Sequence, residues 1–264
     1  MRAGEYSKTS HTNTNILSVS GNELSQLRLL IDSTGKPDFI YSHYLQNDIE
    51  QTHHLFSDNY NIKLVGVPMS ADIHTYYGGK KDPYLECDLA FVGGYWPYKA
   101  QILDFFLLPI LSDFKYSAKI FGNQPWPCNQ YCGMIEDSLA KDLFVSAKIC
   151  PNFSEPHAHT LGVDLNERAF KILSSGGFCV MDDVRAARQV FGEGVVFIKT
   201  PQEFKECVDY YLTRPEERSK IAVLGHKIVM SRHTNYHRAA LFLNSFNEPL
   251  AAEGVMSALS NNFF

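Results

Sequence analysis

The sequence predicts an α/β fold in which parallel βαβ units build a small first domain and a fuller second one. Three observations carry this. Short apolar runs alternate with amphipathic helical stretches along the whole chain, the pattern of strands joined by helical crossovers. A stretch with little periodicity and with Gly and Pro in its second half, MSADIHTYYGGKKDPY (69–84), reads as a linker between two such series. The series before it holds three strand-like runs and the series after it about five, so the first domain is the reduced one.

Taken in order, TNILSVS (14–20) reads as a strand and NELSQLRLLIDSTG (22–35) as an amphipathic helix ending at Gly35. PDFIYSH (37–43) is strand-like, NDIEQTHHLF (47–56) helical and NIKLVGVP (61–68) strand-like again. After the linker, DLAFVGG (88–94) is a strand running into a Gly pair, KAQILDFFLLPILSDF (99–114) a helix with a kink or break at Pro109, and SAKIFG (117–122) a strand. SLAKDLFVSA (138–147) is a helix and KICPNF (148–153) a strand. SEPHAHTLGVD (154–164) is a polar loop, followed by a helix from about 165, the strand FCVMDD (178–183), the helix VRAARQVFG and the strand GVVFIKT (194–200). PQEFKECVDYYLTRP (201–215) opens on Pro201 with Glu203 in its first turn, both suited to a helix N-terminus. Two more helical stretches, EERSKIAVLGHKIVMSRH and NYHRAALFLNSF, come next, and the final GVMSALSNNFF reads as loosely held. The second series is a Rossmann-like sheet, and the boundaries read are 1–80, 81–235 and 236–264.

The 264 residues are 45% hydrophobic and 20% charged, the balance of a globular protein. A net charge of -5 does not indicate a dominant electrostatic grip on nucleic acid or anionic lipid, and leaves room for a small local basic pocket. MRAGEYSKTSHTNTN has no apolar core of a secretory leader, and no run reaches the roughly 18 apolar residues of a membrane span. Cys87, Cys128, Cys132, Cys150, Cys179 and Cys207 lack paired zinc spacing, so the expectation is free thiols in a reducing, cytoplasmic setting, with no metal.

Ligands of open α/β sheets bind beyond the carboxyl ends of the strands. There the sequence places Gly93, Gly94 and, at a helix start, Lys99, which suit a phosphate or form a tight turn with a surface lysine. Trp126 stacks on a base or packs on its own domain. Glu155, His157 and His159 lie in the polar loop, and Asn166, Glu167 and Arg168 at the next helix start. Arg168 there makes an anion site, or is a solvated arginine paired with Glu167 or Asp164. Asp182 and Asp183 offer paired carboxylates, one of them a natural helix N-cap. HTNYHR (233–238) reads as a capped helix junction. The dinucleotide fingerprint G-x-G-x-x-G, a Walker A loop and a nucleophile elbow are all missing from the sequence.

Residues from about 86 to 243 resemble the group-1 type glycosyltransferase domain of the spore-maturation (CgeB-like) family. The resemblance rests on CDLAFVGG, on NERAFKILSSGGFCVMDD, on PEERSKIAVLG and on HTNYHR, in that order and spacing. It implies the GT-B architecture: two Rossmann-like domains across a cleft, the C-terminal one holding a nucleotide-diphospho-sugar donor, and a terminal helix crossing back. Asn166 and Arg168 would then sit at the helix mouth that receives diphosphate and sugar. Gly93, Gly94, Lys99, Trp126, Glu155, Glu167 and Asp183 join them as the expected donor-binding set. Many relatives carry Glu where this chain has Lys171, and that glutamate is expected to bind the donor ribose. Either Glu167, one turn earlier, replaces it, or ribose recognition differs or donor binding is lost.

The resemblance also implies sugar transfer to an unknown acceptor (glycan, protein or nucleic acid) with no cofactor beyond the donor. Lys99 and Arg168 would stabilise the leaving diphosphate. An inverting reaction needs a base, for which His157, His43 and Asp48 are the candidates; a retaining one does not. The short first domain leaves room for a homo-oligomer in which a partner chain completes it. The rival readings are a non-catalytic nucleotide-sugar-binding or scaffolding subunit and a sugar-nucleotide epimerase.

Overall fold

Every strand expected beyond residue 36 forms in the computed structural model, which describes residues 28, 29, 31–33 and 35–263. The strand expected at 14–20 lies outside the described residues, as does most of the helix expected over 22–35. Residues 28, 29 and 31–33 of that helix are described, and are helical. The chain divides into two units after Val67.

In the first unit β1 (Phe39–Ser42) pairs in parallel with β2 (Lys63–Gly66), Ile40 opposite Leu64. The helical stretch between them is two helices, α1 (Gln46–Thr52) and α2 (His54–Tyr60), broken at His53, whose φ of -120° and ψ of 16° leave the helical basin. Gln46 ties α1 to β2: its amide donates to Leu64 O at 3.0 Å and accepts from Gly66 N–H at 2.7 Å. A Cβ on Gly66 would stand 2.6 Å from Gln46 N, so the strand must end on glycine for the helix to sit this close. His43 follows β1 with its ring 4.8 Å from Tyr44. Asp48 is buried in the first turn of α1, whose N-cap is Leu45.

The second unit is a five-stranded parallel sheet of β3 (Cys87–Val92), β4 (Ala118–Phe121), β5 (Ala147–Asn152), β6 (Cys179–Asp182) and β7 (Val196–Ile198), in the order β4-β3-β5-β6-β7. The order reverses between β3 and β5, which opens a crevice at their carboxyl ends. Leu89, Phe91, Ile149, Val180 and Ile198 form one core with Leu103 and Phe106 of α4 (Pro97–Phe106), with Ile110 of α5 (Leu108–Leu111) and with Phe204 and Val208 of α10 (Pro201–Leu212). Phe153 stacks on Phe106 at 5.0 Å and meets Phe204 edge-on at 5.3 Å. The intervening Cys150 points the other way, its thiol on Phe144 O of α6 (Asp137–Ser146). All six cysteines are free thiols, and Cys87, Cys150 and Cys179 are buried as small apolar groups.

Pro109 divides the helix expected over 99–114. It lacks the N–H that would bond Phe105 O, so the chain stops at Phe106 and restarts with Pro109 in the first turn of α5. The polar loop 154–164 contains a short helix, α7 (Pro156–Leu161), which Gly162 ends in the left-handed region at φ 70°. α8 (Glu167–Ser175) ends likewise at Gly176, φ 96°. A Cβ on Gly177 would lie 2.6 Å from Phe144 O, so the second glycine of the pair lets the returning chain pass against α6.

The linker reading of 69–84 gives way to a packed segment that holds a short helix, α3 (Ile73–Tyr76), because its backbone groups are caught by this unit. Ala71 forms a bridge with Thr234, Gly79 N–H bonds Ser175 O at 3.1 Å and Lys80 N–H bonds Asp142 at 2.7 Å. The compact units divide after 67, where the sequence pattern puts the boundary at 80. HTNYHR is the capped junction expected: between α11 (Pro215–Arg232) and α12 (Asn235–Ser245), Thr234 caps α12 in a reciprocal box with His237. Arg238 clasps Pro68 O at 2.6 Å and Met69 O at 3.1 Å. The tail read as loosely held is instead a helix, α13 (Pro249–Phe263), packed on α12. Ala252, Val255, Met256 and Leu259 form its apolar stripe, and Phe263 closes on Tyr77 at 5.4 Å. No described helix is long and apolar enough to cross a membrane.

Candidate functional site

Four consecutive residues leaving β5 each hold one member of a polar cluster at the crevice. Asn152 accepts from Arg168 Nη1 at 3.0 Å. Phe153 O accepts from Asn166 Nδ2 at 3.2 Å. Ser154 gives its backbone N–H to Asp182 at 3.0 Å and its hydroxyl at 3.1 Å. Glu155 pairs with Lys99 Nζ at 2.5 Å. A run of apolar strand residues turning polar at the sheet edge thus becomes a common mount for groups from α4, α8 and β6.

Arg168 spans the reversal of strand order. Its Nε donates to Val92 O, the last residue of β3, at 2.6 Å, while Nη1 reaches Asn152 at the end of β5. The guanidinium lies 4.3 Å over the Phe91 ring. Both hydrogen-bond partners are neutral oxygens, so its charge is not cancelled by a bonded carboxylate; the pairing with Glu167 or Asp164 does not form. Gly93 is required here, because a Cβ would stand 2.7 Å from Arg168 Nη2. A Cβ on Gly94 would meet Trp96 Nε1 at 2.3 Å. The Gly pair therefore makes room for the protein's own side chains.

Lys99 is buried in the first turn of α4. Burial, and then the nearby positive charge of Arg168, push its pKa down to about 8 against the pull of Glu155. Asn166 N-caps α8 through its backbone alone, and its Oδ1 is buried without a partner, as is Asn152 Nδ2. Each such orphan costs about 1–3 kcal/mol, which a ligand that pairs it returns.

Asp182 is fully buried, and besides Ser154 it takes His159 Nε2 at 2.6 Å. That contact raises the His159 pKa above its usual 6.5. His157, two residues earlier, has both ring nitrogens engaged, Nε2 with Asp164 at 2.6 Å and Nδ1 with Tyr98 Oη at 3.2 Å. The Tyr98 and His157 rings stack at 6.0 Å, bracing the start of α4 against α7.

Other expected members are placed differently. Trp126 is a core residue: it is buried, packs on Phe91 at 5.3 Å and Tyr95 at 5.2 Å, and donates to Gly93 O at 3.0 Å, so no ring face is offered to a base. Asp183 does not cap a helix, because the N-cap of α9 (Arg185–Phe191) is Val184. Its carboxylate is held by Arg188 Nε and Nη2, which keeps its pKa below the usual carboxylate range. Glu167 is paired at 2.8 Å with Lys171, whose ammonium also lies 5.1 Å over Tyr76. Asn152, Ser154 and the interior role of Asp182 were not read from the sequence. The one available sign is the pair of polar residues, Asn152 and Ser154, on either side of Phe153 at the end of an apolar run. Among the described residues no group of three His, Cys, Asp or Glu is placed to hold a metal ion.

A family model described as glycosyl transferase-like matches residues 103–244, more than half of the chain. The match takes in residues 152–155, Arg168 and Asp182, while Gly93 and Lys99 immediately precede it. No curated protein matches the chain in sequence. Solved structures that match in fold include an apo OtsA structure (TM-score 0.60, 11% identity, 88% of this chain and 64% of that one). A T4 phage BGT mutant in complex with UDP-glucose aligns with TM-score 0.56 and 15% identity, over 78% of this chain and 61% of that one. A trehalose-6-phosphate structure from E. coli bound with UDP-2-fluoro glucose gives TM-score 0.58 and 11% identity, over 88% and 65%. The chain thus spans less than two thirds of the length of each of these structures.

Proposed function

Because this chain belongs to the glycosyl transferase-like family and has the GT-B type of α/β fold, we propose that it moves a sugar from a nucleotide-diphosphate donor to a hydroxyl acceptor, as a member of the CgeB-like branch. The observation that carries the reading is Arg168. A guanidinium held at the sheet's reversal point by two neutral oxygens has no negative charge bonded to it, Glu155 being taken by Lys99. A diphosphate supplies that charge, and its bridging and terminal oxygens match a forked donor. Phosphate oxygens only accept, so Asn166 Oδ1 asks in addition for an O–H, which a sugar or ribose provides. UDP-glucose in the T4 phage protein is a ligand of this kind.

In the reaction, charge grows on the leaving diphosphate as the bond from the anomeric carbon to the phosphate oxygen breaks. Lys99 and Arg168 are fixed in place beforehand, so they stabilise that charge without reorganising. Glu155 holds the Lys99 ammonium, and Asn152 the guanidinium. A second reading, a nucleotide-sugar-binding subunit without turnover, is favoured by one feature. Lys171 and Glu167 are paired with each other, which withdraws both from a ribose. Product analysis separates the two, and also an epimerase: transfer releases the nucleoside diphosphate, epimerisation returns a nucleotide sugar, and a binding subunit returns the donor unchanged.

The test is thermal shift against UDP, GDP, ADP and their sugars across pH. A specific donor raises the melting temperature by mass action. In the ligand-free protein Lys99 loses its proton near pH 8, so affinity for UDP falls as pH rises through and beyond that value. The apo protein has the opposite trend from this group: between about 8 and 10.5 the unfolded chain binds the proton more tightly, so stability from Lys99 rises with pH. No shift with any nucleotide, or one that strengthens steadily above pH 8, sinks the reading.

A further inference from the structure

Two histidines on α7 differ in what is left to them. His157 has both ring nitrogens engaged, by Asp164 and by Tyr98. His159 has Nε2 on Asp182 at 2.6 Å, a carboxylate with no exposure to solvent, and its ring lines a hollow of about 200 Å³ together with Asp183, Ile198 and Lys199. The Nε2 contact to a carboxylate assigns the N–H to Nε2 and turns Nδ1, when the ring is neutral, into a lone-pair acceptor. Asp182 is also within electrostatic reach of Lys99 and Arg168. Asp182 therefore acts both on the imidazole that lines the hollow and, through its charge, on the two cations.

We infer that His159, held by Asp182, is the imidazole that takes the proton of the attacking acceptor hydroxyl, which enters through the hollow beside Lys199. The inference rests on the nucleotide-sugar reading above. The acceptor oxygen bonds the anomeric carbon as the bond from that carbon to the phosphate oxygen breaks. The hydroxyl proton moves to His159 Nδ1, and the electron pair of the broken bond leaves with the diphosphate, against Lys99 and Arg168. His159 is then a catalytic residue and Asp182 a positioning residue, which keeps the ring turned and stabilises the imidazolium. The acceptor is a neutral alcohol, and the reaction inverts the anomeric centre.

The charged groups around His159 are Asp182 and Asp183 from β6 and its end, and Lys199 beyond β7. The two carboxylates raise its pKa, so the neutral, proton-accepting form becomes the major one only above 6.5. Release of nucleoside diphosphate from a panel of UDP, GDP and ADP sugars is followed from pH 5.5 to 9, with water and simple sugars as the hydroxyl source. In the wild type the rate rises along an acidic limb whose midpoint lies above 6.5. His159→Gln lowers the rate about 100-fold or more and flattens the limb, while the nucleotide thermal shift persists. Asp182→Asn moves the limb to lower pH. A His159→Gln protein that keeps rate and limb overturns the inference, as does a limb that Asp182→Asn leaves in place. A wild type that binds nucleotide and releases none overturns it while the binding reading stands. A wild type that binds no nucleotide overturns both.

Discussion

Arg168→Ala is expected to lower nucleoside diphosphate release by about 100- to 1,000-fold, the usual loss when one preorganised donor to a developing negative charge is removed. It should also abolish most of the nucleotide-induced thermal shift. The substitution has a structural cost as well, because Val92 O and Asn152 Oδ1 lose their donor at the sheet edge. At about 1–3 kcal/mol for each orphan, the apo protein should melt several degrees lower. Arg168→Lys separates the two effects. It keeps the charge and loses the fork, so it should recover some binding while Val92 O and Asn152 Oδ1 cannot both be served. Steady-state release with both variants, beside their apo melting curves, checks this; an Arg168→Ala enzyme with wild-type turnover takes Arg168 out of the chemistry.

The largest effect on stability away from the site is expected from Gly225→Ala. α11 crosses the short turn at 192–194 with backbones in contact. A Cβ on Gly225 would lie 2.4 Å from Gly194 O and 2.7 Å from Leu173 Cδ2. Leu173 can move, but a carbonyl within a turn cannot without carrying β7 with it. The intrinsic gain of alanine over glycine in a helix, about 1 kcal/mol, works against this. Overpacking costs about 1–3 kcal/mol, more where backbone must shift, so a net loss is expected. Chemical denaturation should show a lower midpoint with an unchanged slope, and nucleotide binding measured on the folded fraction should persist. A Gly225→Ala protein more stable than the wild type would mean that the two backbones are not held together.

The sheet was legible because each strand is an apolar run bounded by turn residues, from FIYS to VFI, and that signal is local. The broken helices were half legible. Pro109 announces its own break, whereas His53, where the first helix of the other unit breaks, carries no such mark. α7 is not readable in the sequence because the six residues from Pro156 to Leu161 cannot display a period. α13 went unread although its stripe is regular, since small residues such as Ala252 weigh little beside the Asn-Asn-Phe-Phe at the end of the chain. At the site, residue types pointed to Lys99, Asn166 and Arg168, which the structure gathers at one sheet edge. Trp126 shows the limit: an indole beside a strand end looks the same in sequence whether it faces ligand or core. Asp182 shows another, for its partner Ser154 is 28 residues away. Nothing within reach of a local pattern tells a buried carboxylate from an exposed one.

The mount at 152–155 has a thermodynamic corollary. Since four neighbouring residues each hold a different partner, a disturbance at any one tilts the peptide planes that position the others. The contributions of Arg168, Asn166, Asp182 and Lys99 are then not separable quantities. Double-mutant cycles between any two of them should return interaction energies of about 0.5–3 kcal/mol, while cycles that pair any of them with Gly225 should sum within about 0.5 kcal/mol. Replacing one of the four residues is therefore expected to change what the other three hold, so the segment is to be varied as a whole.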